Sequence, residues 1–132
     1  MTVVLTVDVE DWAQSTLDTE LPITPRALRN TNYLLDLMAA QGRKMTCFVL
    51  GKFADQYPDC VRRIAQEGHE VASHGYGPVN IYEQSPADFR ADVRRSKAQL
   101  EDLTGLPVLG YRGPNFSLGL AGDWPLEVLA EE

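Results

Sequence analysis

The chain has 132 residues, 44% of them hydrophobic and 23% charged, and a net charge of −7 at pH 7. It is long enough for one domain with a real hydrophobic core. Its acidity works against binding phosphate backbones or anionic membrane surfaces, so nucleic acid is not an expected partner.

Val3 to Val7 is a continuous apolar, β-branched run, the pattern of a strand buried on both faces of a parallel sheet. Met1 to Val7 lacks a basic flank and runs straight into acids, so it reads as a strand and not as a signal peptide. No run approaches the length of a membrane span, and the expected location is cytoplasmic. Residues 12 to 23 read as a polar loop. Thr24 then caps a helix with Pro25 in its first turn, an inner stripe of Leu28, Thr31, Leu35 and Met38, and a stop at Gly42.

Met45 to Leu50 is the second predicted strand, and Gly51-Lys52-Phe53 opens a short helical turn. Pro58 starts a helix through Val61, Ile64 and Ala65 that closes at Gly68, and His69 to Ala72 is a brief third strand. Cys47 falls in the strand and Cys60 on the helix. They make no disulfide framework and fit small buried residues. After a loop from His74 to Gln84, Ser85-Pro86-Ala87-Asp88 is a strong helix start: a cap, a proline in the first turn and an acid at the positive dipole end. Phe89, Val93, Leu100 and Leu103 share one face of that helix. Arg90, Arg94, Arg95 and Lys97 are interleaved with acids and read as its solvated side. Gly105 and Pro107 end it, Val108 to Tyr111 is the fourth strand, and a glycine-rich loop leads to a final helix near Pro125 to Leu129.

The order is β-α-β-α-β-α-β-α. It predicts an α/β fold with parallel strands alternating with helices, joined by right-handed crossovers. Four βα units make an open sheet or part of a (β/α) barrel, not a closed barrel of the usual size. Open sheet edges are aggregation hazards, and self-association through them is an expected consequence.

Three polar clusters stand at the downstream ends of apolar runs: Asp8-Val9-Glu10-Asp11, Ser73-His74-Gly75-Tyr76 and Arg112-Gly113-Pro114. Polar residues fed from one common edge are how parallel α/β folds assemble active sites. Asp8 and Glu10 point the same way if the extended conformation persists, which suits a metal ligand beside a general base. Alone they equally suit capping and solubility. His74 can bind a divalent metal or move protons near neutral pH, whereas His69, at a helix-to-strand turn on the opposite edge, reads as structural. Arg112 can hold a carboxylate bidentately.

These segments, Thr6-Val7-Asp8-Val9-Glu10-Asp11-Trp12, Gly68 to Tyr76 and Tyr111 to Phe116, resemble the first three motifs of the polysaccharide deacetylases, the NodB-homology or carbohydrate esterase family 4 enzymes. The first motif, with Tyr82 to Pro86 and the helix after it, is most similar to the branch associated with exopolysaccharide biosynthesis. The resemblance implies that residues 1–132 form a single partial NodB-homology domain, the N-terminal part of a distorted (β/α) barrel of the glycoside hydrolase/deacetylase type. It implies removal of N-acetyl groups from an N-acetylated polysaccharide or oligosaccharide, with a divalent metal, commonly zinc, activating water.

By the same resemblance Asp8 matches the base and Arg112 the arginine that orients it. His74 matches the first metal histidine and Glu10 or Asp11 the metal carboxylate, with Glu10 favoured because it shares a face with Asp8. Tyr76, Pro114 and Phe116 match substrate-binding positions. The family's second metal histidine falls four residues after the first, where this chain has Pro78, which has no lone pair to offer. The motif supplying the histidine that protonates the leaving amine is expected beyond Glu132. A deacetylase-family hydrolase is therefore the leading expectation. A catalytically silent glycan- or protein-binding remnant and a metal-independent amide hydrolase stand as alternatives.

Overall fold

A computed structural model describes residues 2–132; Met1, the first residue of the expected N-terminal strand, lies outside the described residues. Three parallel strands, β1 (Thr6–Val9), β2 (Thr46–Val49) and β3 (Glu70–Ser73), form a sheet in the order β1-β2-β3. The register aligns Thr6 with Thr46 and Glu70, and Asp8 with Phe48 and Ala72. Between the strands run α1 (Trp12–Thr16), α2 (Pro25–Ala40), α3 (Gly51–Gln56) and α4 (Pro58–Gln66). After β3 come α5 (Pro86–Thr104) and α6 (Trp124–Glu131).

Strand alternation divides the sheet's two faces. Val9, Cys47, Val49 and Val71 pack against Ala27 and Leu35 of α2, Phe53 of α3, Val61 and Ile64 of α4 and Leu100 of α5. Each large apolar side chain buried here contributes about 1.5–3 kcal/mol. Cys47 and Cys60 are free and buried in that layer, and burial pushes their thiols up to about 12 and about 11. A second cluster joins Ile81, Phe89, Val93 and Val128, with Tyr111 and Trp124 edge-on to the Phe89 ring. The opposite sheet face carries Thr6, Asp8, Thr46, Phe48, Glu70 and Ala72, of which only Ala72 is fully buried.

Three boundaries differ from the sequence reading. The first strand is Thr6–Val9 instead of Val3–Val7, so Asp8 is a strand residue and not the loop after it. Thr2 to Leu5 are exposed, without the second sheet neighbour that an apolar β-branched run presupposes. Residues 12 to 23 are not wholly loop, because Asp11 caps the short α1 by accepting from the Ala13 N–H. Val108 to Tyr111 is not a full strand. It contributes one parallel bridge, Ser73 to Tyr111, with Leu109 left 84% exposed. An outer strand with no neighbour beyond it has half the pairing that would hold it extended.

The α5 signals translate directly, whereas Thr24 stands at the N-cap position of α2 without a side-chain capping bond, its hydroxyl donating to Asp11 instead. Ser85 accepts from the Asp88 N–H at the start of α5, and Gly105 ends it at φ 68°. No helix among the described residues is long and apolar enough to cross a membrane.

Candidate active site

Asp8 stands on the exposed face of β1, and Arg112 follows the Ser73–Tyr111 bridge. The Arg112 guanidinium donates from Nη1 to Asp8 Oδ1 at 2.6 Å and from Nη2 to Thr6 Oγ1 at 3.0 Å. It lies 4.0 Å above the Phe48 ring centroid. The sheet register places Asp8 and Phe48 side by side, so one planar fork meets a carboxylate, a hydroxyl and an aromatic face. The Arg112 backbone is fixed too, its N–H donating to the Ser73 carbonyl at 3.0 Å.

The Arg112 carbonyl lies 2.7 Å from His74 Nδ1. A carbonyl only accepts, so Nδ1 carries a proton and Nε2 is the nitrogen left for Glu10. That nitrogen faces Glu10 Oε2 at 3.5 Å, and the same oxygen accepts from the Ser15 hydroxyl at 2.6 Å. Burial works to raise the Glu10 carboxyl, but the bonds from His74 and Ser15 outweigh it and hold the group below the usual carboxylate range. Burial likewise works to lower His74, and the Glu10 bond and charge outweigh it and raise the imidazole above its usual value. Asp8, Glu10, His74 and Arg112 thus converge on one rim.

Asp11 does not join them. Its carboxylate is 1% exposed and accepts from the Ala13 N–H, the Thr24 N–H and hydroxyl, and Arg26. Burial opposes its ionisation, yet the Thr24 and Ala13 bonds win and hold it below the ordinary range. The acid ties α1 to the start of α2. Of the two carboxylates read as metal candidates, only Glu10 faces His74.

Tyr76 turns to the helices: its hydroxyl donates to Asp55 at 2.8 Å, and the Arg95 guanidinium lies 3.3 Å over its ring. Pro114 is buried and accepts from the Ser117 hydroxyl at 2.6 Å. Phe116 is 93% exposed, and both it and Asn115 sit at positive φ, 56° and 51°. An exposed aromatic held in a sparsely populated backbone region fits a contact surface better than a packing role. Trp12 and Ser15 went unrecognised in the sequence. Trp12 is 61% exposed beside a cavity of about 220 Å³ that Asp8, Glu10 and Arg26 also line.

The donor set meets one requirement of a divalent ion and fails another. Two ligands of one tetrahedral ion stand about 3.4 Å apart for bonds of about 2.1 Å, and Glu10 and His74 match at 3.5 Å. The number of donors does not match: no group of three or more His, Cys, Asp or Glu is placed to hold a metal among the described residues. Pro78 is buried and lines a groove with Ser15, the partner of Glu10. It brings no ligand atom.

Comparison with known proteins gives a consistent result. The sequence profile of the polysaccharide deacetylase family matches residues 2–119. A peptidoglycan-N-acetylglucosamine deacetylase of Bacillus cereus is 32% identical over 87 residues, covering 66% of this chain and 32% of that protein. A chitooligosaccharide deacetylase of Rhizobium leguminosarum bv. trifolii is 48% identical over 44 residues, covering 33% of this chain and 20% of that protein. The fold is similar to that of a CE4 family pseudoenzyme from Bacillus anthracis, with TM-score 0.79 and 18% identity over 98% of this chain and 40% of that one. A mutant of that pseudoenzyme is described as having restored enzymatic activity. The chain spans about a third or less of the length of these two curated relatives.

Proposed function

The chain belongs to the polysaccharide deacetylase family, and on that premise we propose that it is the base-bearing part of a hydrolase that removes N-acetyl groups from amino-sugar polymers. One observation carries the reading: Arg112 holds Asp8 through its guanidinium and His74 through its carbonyl. A general base must be oriented before it can be effective, and this fork fixes one carboxylate oxygen while the second remains for a water. In this reading Asp8 takes a proton from the water whose oxygen adds to the acetamide carbonyl carbon. Breaking the carbon–nitrogen bond then yields acetate and a free amine once the nitrogen has been protonated.

Glu10 and His74 supply two donors for a divalent ion, and Pro78 supplies none. Two protein ligands leave such an ion largely hydrated and weakly held, so the chemistry assigned to this chain rests on Asp8 and Arg112. The form of the first motif, Asp8 to Trp12, supports an exopolysaccharide as the polymer. The exposed Phe116 and Trp12 support contact with sugar rings, which stack on aromatic faces.

A second reading is favoured by Pro78: a family member that binds glycan or a partner without turnover. Acetate release from N-acetylated chitooligosaccharides, with and without added zinc, separates the two. Release that disappears in Asp8→Asn supports the hydrolase. Oligosaccharide binding with no acetate from the unaltered chain supports the silent module.

A further inference from the structure

Attention falls on the loop after β3, Ser73 to Gly77, which carries His74 and is held from both sides. The first turn of α3 holds its carbonyls: Gly51 N–H donates to the Gly75 carbonyl at 2.9 Å and Lys52 N–H to the Tyr76 carbonyl at 2.8 Å. The loop's amides face the other way, towards α5. Tyr76 N–H donates to Asp92 Oδ2 at 3.0 Å. One helical turn further along α5, the Ser96 hydroxyl meets the Ser73 hydroxyl at 2.8 Å, which accepts from the Gly75 N–H at 3.1 Å. Gln99, on the next turn, donates to the Gly51 carbonyl at 3.1 Å.

Residues 92, 96 and 99 follow the spacing of one helix face. That face also carries buried Val93 and Leu100, where packing alone would favour apolar residues. Of its polar stripe, Asp92 meets the backbone of the loop, Ser96 the Ser73 hydroxyl, and Gln99 the first turn of α3 on which the loop rests. Gly75 completes the fit: φ is 80°, and a Cβ there would stand 2.9 Å from Asp92 Oδ2. Only a glycine lets the loop come this close to the carboxylate.

We propose that Asp92 is a positioning residue for the rim site: it holds the Tyr76 amide, against the glycine at 75, so that His74 keeps its ring nitrogen on the Arg112 carbonyl and its other nitrogen towards Glu10. The inference rests on the reading of His74 as a site residue and adds a residue that makes no hydrogen bond or ion pair with Asp8, Glu10, His74 or Arg112. An aliphatic side chain there leaves the Tyr76 N–H without its acceptor, and the loop is then free to turn its peptide planes.

The test compares Asp92→Asn, which keeps an oxygen acceptor, with Asp92→Leu, which does not, by solution NMR of the nitrogen-15-labelled chain. The His74 ring nitrogen signals report which nitrogen carries the proton, and this needs no turnover. Asp92→Leu is expected to shift those signals away from the single Nδ1–H form and to speed exchange of the Tyr76 amide at least about tenfold. Asp92→Asn is expected to restore most of both. Unchanged ring signals in a folded Asp92→Leu protein would overturn the proposal.

Should Asp92→Leu fail to fold, exchange in the unaltered chain decides. A Tyr76 amide protected like the β3 amides supports the inference, and one exchanging at the rate of a free loop overturns it. A chain that releases no acetate but shows the expected ring signals rejects the hydrolase reading and leaves the role of Asp92 intact.

Discussion

A neutral imidazole that gives its Nδ1–H to a carbonyl presents a lone pair at Nε2, and here that lone pair faces a carboxylate oxygen at 3.5 Å. Two acceptors so placed require positive charge between them, a proton on the ring or a cation. That is why His74 and Glu10 titrate as partners while Asp11, one residue along, does not. Asp11→Ala removes a cap and strands the Thr24 N–H, so it is expected to cost about 2–4 kcal/mol of stability in urea melts. Asp11→Asn, which keeps oxygen acceptance, should cost less. Neither should alter zinc binding beyond what lost folding explains, whereas Glu10→Gln should weaken it. Pro78→His adds a ligand beside Ser15 and Glu10 and is expected to tighten zinc about tenfold or more by calorimetric titration. Unchanged affinity would mean that residue 78 does not reach the ion. The identities of Asp8, His74 and Arg112 were legible in their motifs. The choice between Glu10 and Asp11 was not, because it depends on Thr24 and Arg26, which lie 13 and 15 residues away.

Among the elements, the start of β3 carries a second histidine with the opposite chemistry. His69 is 4% exposed, and its Nδ1 accepts from the Met45 N–H at 3.2 Å, a bond that requires the neutral ring. Burial pushes its pKa down, and the Lys44 charge adds to that. The unfolded chain takes up a proton below its ordinary value of 6.5, and the folded chain resists it. This contribution to stability is therefore complete above that pH. It declines as pH falls towards the depressed folded value, with a slope of at most about 1.4 kcal/mol per pH unit. His74, raised by Glu10, works in the other direction and on the other side of 6.5: its contribution is complete below that value and is lost as pH rises towards the raised folded value. The difference between the unaltered chain and His69→Gln isolates the effect: urea midpoints of the two should converge between pH 7.5 and 5.5. Elements with two sheet neighbours or strong caps, such as β2 and α5, were readable from periodicity and end signals. The α1 turn and the single bridge at Tyr111 were not, since one depends on a capping acid and the other on a partner strand.

At the scale of the whole molecule, β1 pairs only with β2 among the described residues, and Thr6 and Asp8 on its outer face are exposed. Val3, Val4 and Leu109 are 66%, 73% and 84% exposed. Free edges beside apolar side chains favour pairing with another copy, while a net charge of −7 opposes it. Sedimentation velocity is expected to show concentration-dependent self-association that strengthens when salt screens the charge. A single monomeric species at all concentrations would reject that expectation.

The sequence alone determined the family, the parallel order of strands and helices, and three residues of the rim, Asp8, His74 and Arg112. Local signals carry those: β-branched runs, caps, terminating glycines and motifs read within a few residues. Tertiary structure decided which carboxylate meets His74, that Arg112 holds Asp8 and the imidazole at once, and that Asp92 on α5 meets the loop after β3. Those contacts join residues far apart in the chain, 104 positions for Asp8 and Arg112. A local pattern has no means to encode such a distance until the strands are in register.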